Sequence, residues 1–348
     1  MPDRSQGAIA RTATASDPLI ALDALSPAES LSDDEARYVS AARAANTLRG
    51  YRSDWKEWST WCALEDHTPL PAAPEAITSY LTTLAGHGAK VGTMSRRLSA
   101  LKFAHQLRDL PDPTTNARVV AVWEGIRRLH GAPPDQATPL MPPELWHVLD
   151  ACPTQRMWAD RRRPPDPSLA GARDRCLLLV GFVAALRRSE LTALTVDQVR
   201  PHPNGYLLAL PRSKTNQRGE HDELVILPRA GDPRHCPVTA IDHWLTLAGH
   251  TTGPLLRPVS KGNRATDRSL SPASITTLVQ AAVTRAGIDS TGYSGHSLRA
   301  GFVTYAHLRG ASDRAIAHQT RHRSLATIGT YTRIESAWTD NAATVLGL

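Results

Sequence analysis

The chain has 348 residues, with 40 Lys and Arg against 33 Asp and Glu, for a formal charge of +7. That length suits two domains rather than one. Residues 1–35 hold two basic and seven acidic side chains, which leaves the remaining body at +12; such a body favours a polyanion, with nucleic acid ahead of a membrane surface. Cys62, Cys152, Cys176 and Cys236 form no C-x-x-C pair, which excludes a zinc clip or dithiol redox motif built on one and leaves them as buried reduced thiols. The longest apolar run, residues 176–186, falls short of the roughly 20 residues that span a bilayer. No basic segment followed by an apolar stretch opens the chain, so a cytoplasmic setting is expected.

Residues 1–33 are rich in Ala, Ser, Asp and Pro and lack sustained periodicity. They bury too little apolar surface to offset ordering entropy, and a disordered tail is expected. Helical patterns follow from Asp34. Tyr51, Trp55, Trp58 and Cys62 recur at spacings of four, three and four and share one face, a core face. A second helix is expected over about 74–85. In a third, Thr93 is the expected cap, Leu98, Leu101 and Phe103 point inward, and Arg96, Arg97, Lys102 and Arg108 charge other faces. Another helical pattern, "ARVVAVWEGIRRLH", stops at "GAPPDQATPLMPP", whose prolines forbid helix and favour an extended linker. The expected division is a helical domain over 34–130, a linker over 131–142 and a second domain over 143–348.

Beyond that boundary "PPELWHVLD" restarts a helix, and "RRRPPDPSLAGA" reads as a basic, proline-broken loop. An apolar helix begins near Arg173 and continues through "ALRRSELTAL". "GYLLALPRSK" and "DELVILPR" are β-prone runs joined by the turn-like "TNQRGEH". From Pro272 onward the pattern is helix and connecting loop.

Six side chains along this second region could carry chemistry. Arg187 follows the buried apolar run, with Glu190 three residues on to hold its fork. Lys214 sits at the end of a β-run, where its stem can deliver a charge or a proton. His296 and Arg299, in "GHSLRAGF", stand three apart at a helix start and can address one anion. In "TRHRSLATIGTYTR", His322 precedes Tyr331 by nine residues, and Ser324 can cap a helix running through the tyrosine. A free phenol with a pKa of about 10 is a poor nucleophile at neutral pH, so a covalent role needs nearby cations.

The ordered set resembles the tyrosine recombinase, or phage integrase, family and its Cre-like branch. "ALRRSEL", "RSKTN", "GHSLRAGF" and "TRHRSLATIGTYTR" match, in order, the family's arginine, hairpin lysine, H-x-L-R box, second histidine and following tyrosine. The register of the first motif selects Arg187 over Arg188. Many relatives have Leu-Gly where this chain has Thr320 and Arg321.

The resemblance implies a mainly α fold with a small antiparallel β-sheet, built from a helical core-binding domain and an α+β catalytic domain that clamp duplex DNA. It implies a site-specific recombinase that cleaves and rejoins DNA through a 3′-phosphotyrosine. Catalytic roles fall to Arg187, Lys214, His296, Arg299, His322 and Tyr331, with Glu190 in support and Arg96, Arg97 and Lys102 as DNA contacts. Neither metal nor nucleotide cofactor is implied. Four protomers would assemble on paired sites, joined by a C-terminal face of Trp338, Ala342, Val345 and Leu346. A type IB topoisomerase-like enzyme, or a catalytically silent DNA-binding regulator of the same fold, are the alternatives at this point.

Overall fold

A computed structural model describes residues 43–133, 136–210 and 223–321, together with Ser32, Asp34 and Tyr38. The tail expected over residues 1–33, Ser32 apart, and the docking face expected at the C-terminus lie outside the described residues. The chain separates into two compact units, residues 1–134 and 135–348.

The first unit is helical throughout its described length. Helix α1 (Ala45–Leu64) carries the aromatic face read from the sequence. Trp55, Trp58 and Cys62 are fully buried, and Trp58 donates its indole N–H to the Pro69 carbonyl at 3.0 Å. Tyr51 stays half-buried, its ring against Phe103 at 5.4 Å. Helix α2 (Pro74–Gly86) begins with Pro74, whose missing N–H costs nothing in the first turn, and with Glu75, whose charge complements the helix dipole. Helix α3 (Val91–Leu107) starts ahead of the expected cap: Lys90 is the N-cap and Thr93 lies inside the helix. Leu98 and Leu101 face the core as expected, while Phe103 is only half-buried. Helix α4 (Ala117–His130) is capped by Asn116, whose side chain accepts from the Arg118 N–H.

Buried His105 ties this unit together. Its Nδ1–H donates to the Leu101 carbonyl at 2.8 Å, and its Nε2 accepts from the Ala72 N–H at 3.0 Å, which requires the neutral ring.

In the second unit the expected linker ends inside the core. Thr138 and Leu140 donate their N–H groups to the carbonyls of Gly292 and Ser297, and Leu140 is fully buried. Helix α5 (Glu144–Asp150) follows. The basic segment after it is not all loop, because β1 (Gln155–Arg156) pairs antiparallel with β2 (Asp166–Pro167). Within it, Trp158 donates to Asp166 and lies under the guanidinium groups of Arg163 and Arg156.

Helix α6 (Leu169–Val183) begins four residues before Arg173, at the Ser168 cap, and is buried along most of its length. It does not continue into "ALRRSELTAL". Ala184 closes it and Ala185 turns to φ +48°; Arg187 then caps a separate helix, α7 (Arg188–Ala193).

The small sheet has the order β3–β4–β5 and is antiparallel: β3 (Val199–His202), β4 (Gly205–Leu210) and β5 (Glu223–Pro228). The sequence reading missed β3, which is short and carries Pro201; proline is tolerated there because β3 is an edge strand. Along β5, Val225 and Leu227 are buried while Leu224 and Ile226 are about half exposed, the alternation of a one-sided sheet.

Helices α8 (Pro237–Ala248), α9 (Pro272–Arg285), α10 (Ser297–Leu308) and α11 (Asp313–Thr320) complete the described chain. Helices α8 and α10 pack on α6. A Cβ on Gly301 of α10 would stand 2.0 Å from the Leu140 carbonyl oxygen, so glycine lets that helix meet the incoming strand. The architecture is mainly helical with small antiparallel sheets. All four cysteines are buried and unpaired, and no described helix is long and apolar enough to cross a membrane.

Candidate active site

The break after α6 builds the site. Because the chain turns at Ala185, the Ala185 carbonyl is withdrawn from the helical ladder and accepts from Arg299 Nη1 at 2.6 Å. Arg299 Nη2 donates to the Thr320 carbonyl at 2.6 Å, at the end of α11. Arg299 is 1% exposed, so its planar fork is set by backbone from two distant segments. The sequence placed Arg299 beside His296 on one face; the structure adds that it pins α6, α10 and α11 at their ends.

Two residues beyond Ala185, Arg187 caps α7. Glu190 closes that turn by accepting from the Arg187 N–H at 2.9 Å with Oε2 and from Arg187 Nη1 at 2.7 Å with Oε1. Arg188 is distinct: it is exposed, donates to Thr276 Oγ1 at 3.3 Å, and lays its stem over Gly295.

Glu190 is buried, and burial alone would raise its carboxyl pKa. The Arg321 charge, the Arg187 hydrogen bonds and the Arg187 charge outweigh this and hold it below the ordinary carboxylate value. Arg321, which with Thr320 stands where many relatives have Leu-Gly, joins this cluster without any local signal in the sequence. Its guanidinium reaches Glu190 Oε2 at 2.6 Å.

His296 is the N-cap of α10 and is exposed. Loss of hydration, followed by the charges of Arg299, Arg188 and Arg187, lowers its imidazole pKa. Since the residue is open to solvent, the three arginines are the firmer cause. A neutral ring among three cations can accept a proton or donate one hydrogen bond to an anion. In the free protein the His296 ring is therefore expected to titrate below about 6.5 by NMR, and Arg188→Gln to raise that value by removing one repelling charge. A titration above the ordinary imidazole value, or one unmoved by Arg188→Gln, would contradict this electrostatic picture.

Arg187, Glu190, His296 and Arg299 thus come together at one end of α6. Lys214, His322 and Tyr331 lie outside the described residues. Strands β4 and β5 flank Lys214 in the chain and pair Leu210 with Glu223 at their ends.

In the first unit the basic residues of α3 are each tied to an acid. Arg96 forks Asp54 at 2.7 and 2.9 Å, and Lys102 pairs with Asp112 at 3.0 Å; both keep about half of their side-chain surface exposed. Arg97 is different, since it donates to Tyr80 Oη at 2.6 Å, pairs with Glu57 and is only 14% exposed. Its charge is spent within the unit, through an acid 40 residues away that the local pattern does not reveal.

Residues 157–337 match the phage integrase family, and residues 36–107 match the phage integrase N-terminal SAM-like domain. The chain belongs to the phage integrase family. Among relatives, this integrase is 32% identical over 317 residues to an integrase/recombinase XerD homologue of Selenomonas ruminantium, covering 90% of this chain and 89% of the relative. It is 26% identical to the tyrosine recombinase XerD of Rhizobium meliloti, covering 87% and 93%. The match to recombinase Cre of Escherichia phage P1, 33% identical, spans 73 residues and 21% of each chain, so likeness to the Cre branch is local whereas likeness to XerD runs nearly end to end.

Among solved structures, the fold is similar to the XerH site-specific recombinase bound to palindromic difH substrate in a post-cleavage complex. The TM-score is 0.58 at 15% identity, covering 90% of this chain and 84% of that one. The integrase is an enzyme, a tyrosine-type site-specific recombinase that binds DNA and cleaves and rejoins it.

Proposed function

We propose that the integrase cleaves duplex DNA through in-line attack of Tyr331 on a phosphodiester, forming a 3′-phosphotyrosine and releasing a 5′-hydroxyl. The reverse attack by a 5′-hydroxyl reseals the strand. The phosphotyrosine conserves the energy of the broken bond, so this chemistry calls for no nucleotide cofactor. Arg187 and Arg299 supply positive charge to the non-bridging oxygens as attacking and leaving oxygens align. His296 and His322 donate hydrogen bonds and handle the tyrosine proton, while Lys214 protonates the leaving 5′-oxygen. Glu190 orients Arg187. Arg96 and Lys102, half exposed on α3, are the better phosphate contacts of the first unit, and Arg97 supports them from within.

The observation that carries this reading is the convergence of Arg187, His296 and Arg299 around the break after α6, with Glu190 fixing the first of them. Exchange between two sites needs four protomers, and the face of Trp338, Ala342, Val345 and Leu346 is the segment proposed to join them. The enzyme would work in the cytoplasm.

The test is incubation with cognate duplex nicked near the cleavage site, so that the short 5′-product diffuses away and the intermediate accumulates. A covalent adduct whose peptide mass places a 3′-phosphate on Tyr331 supports the reading. Specific binding with no adduct would favour the silent regulator, and relaxation of supercoils without paired sites would favour the topoisomerase-like alternative.

A further inference from the structure

We propose that Gln319 is a positioning residue for strand cleavage: its carboxamide holds open the break after α6 that lets Arg187 leave the helix and face the DNA phosphate. The inference rests on the reading of Arg187 as the arginine that meets that phosphate.

The exchange of backbone partners at the break is specific. In an α-helix each carbonyl accepts from the N–H four residues on, so an unbroken α6 would bring the Arg187 N–H to the Val183 carbonyl. That N–H is donated instead to Glu190 Oε2 at 2.9 Å. Gln319 Nε2, near the end of α11, takes its place and donates to the Val183 carbonyl at 2.8 Å. The Ala185 carbonyl is treated alike: a continued helix would give it the Ser189 N–H, and Arg299 Nη1 reaches it at 2.6 Å. The Gln319 nitrogen also donates to the Ile226 carbonyl of β5 at 2.9 Å, so the carboxamide is fixed from a second direction and both of its hydrogens are in use. Gln319 and Val183 are both half-buried. Nothing in the local sequence marks this residue, because its two acceptors stand 136 and 93 residues away.

The consequence falls on Arg187. A helix-end carbonyl shielded from water and left without a donor is costly. With the Gln319 donors gone, the Val183 carbonyl regains a partner by drawing the Arg187 N–H back toward the helical ladder and away from Glu190. The turn that Glu190 closes then loosens, and the Arg187 guanidinium shifts with it. A small displacement of a group that meets charge only as the transition state forms slows cleavage far more than it weakens DNA binding, which is spread over many contacts. Gln319 acts through Arg187 and touches no reacting atom.

The experiment compares full-length parent, Gln319→Met, Gln319→Ala, Arg187→Ala and the double variant Gln319→Met/Arg187→Ala on the nicked duplex, below their melting temperatures. DNA affinity and single-turnover cleavage at saturating enzyme are measured separately. Gln319→Met keeps the length of the side chain and removes both donors; Gln319→Ala removes the same donors with no added bulk, so poor packing of one variant does not decide the result. Each Gln319 variant is expected to cleave about 10- to 100-fold more slowly than the parent with affinity held. The double variant is expected to cleave no more slowly than Arg187→Ala, because nothing is left for Gln319 to position. Parent-like cleavage by the two Gln319 variants, losses that multiply in the double variant, or a loss confined to thermal stability would overturn the proposal. Parent-like cleavage by Arg187→Ala would instead defeat the reading of Arg187, and the proposal with it.

Discussion

Tyr331→Phe is expected to bind the cognate duplex as tightly as the parent and to form no covalent adduct at all. The substitution removes one oxygen and keeps the ring, so contacts that depend on the shape of the side chain survive. What disappears is the protein atom proposed to attack phosphorus. The physical question is why a phenol should attack at neutral pH, with a free pKa of about 10. The described site supplies the answer in the form of fixed cations: Arg299 held by two carbonyls and Arg187 held by Glu190, both in place before substrate arrives. Charge that develops on the phosphate, or on the phenolate as its proton leaves, meets dipoles and charges that need not reorganise. Gel mobility and denaturing electrophoresis on the same reaction separate the two outcomes. An adduct persisting in Tyr331→Phe would assign the nucleophile elsewhere.

Glu190→Gln is expected to be the most damaging single change to the second unit that leaves side-chain volume nearly constant. The carboxylate is almost fully buried between two guanidinium groups, at 2.7 Å from Arg187 and 2.6 Å from Arg321. Removing one partner of a buried ionic pair leaves uncompensated charge and costs about 3–5 kcal/mol, which for a unit of this size lowers Tm by roughly 6–20 °C. The cost should depend on pH. The Glu190 carboxyl titrates below its ordinary value in the folded state, so its stabilising contribution is complete above the unfolded value of about 4.3 and is lost as pH falls through the folded value. Parent and variant melting temperatures should therefore differ widely at pH 7 and converge in acid. A gap that stays constant from pH 7 to acid would show that the carboxylate charge is not what matters.

Much of the architecture could be read from local patterns because it is set by local physics. The spacing of Trp55, Trp58 and Cys62 fixes a helical face whatever surrounds it, and the alternation in "ELVILP" fixes a strand. The chain order of Arg187, Lys214, His296, Arg299, His322 and Tyr331 was legible for a different reason: each motif is ambiguous alone, and only the sequence of motifs identifies a family.

The break at Ala185 was not legible. Ala184, Ala185 and Leu186 are good helix formers with no Gly or Pro among them, and tertiary packing overrides that propensity to turn one alanine left-handed. The charge partners of Arg97 and Arg321 were hidden as well, because Glu57 and Glu190 stand 40 and 131 residues away in sequence. A turn residue such as Arg321 looks like a surface arginine until the fold brings Glu190 and Glu223 beneath it. Local signals report elements; what the charged side chains face is decided by contacts across the chain.

The proposed cleavage depends on guanidinium charge neutralising a phosphate. The most direct measurement compares single-turnover cleavage by the parent and by Arg187→Ala on two nicked duplexes, one with the natural scissile phosphate and one with an uncharged methylphosphonate in its place. Arg187→Ala should be slower than the parent by about 10²- to 10³-fold on the phosphate and should approach the parent on the methylphosphonate, whose transition state carries one negative charge fewer for the arginines to meet. An Arg187→Ala defect equally large on both duplexes would contradict the account.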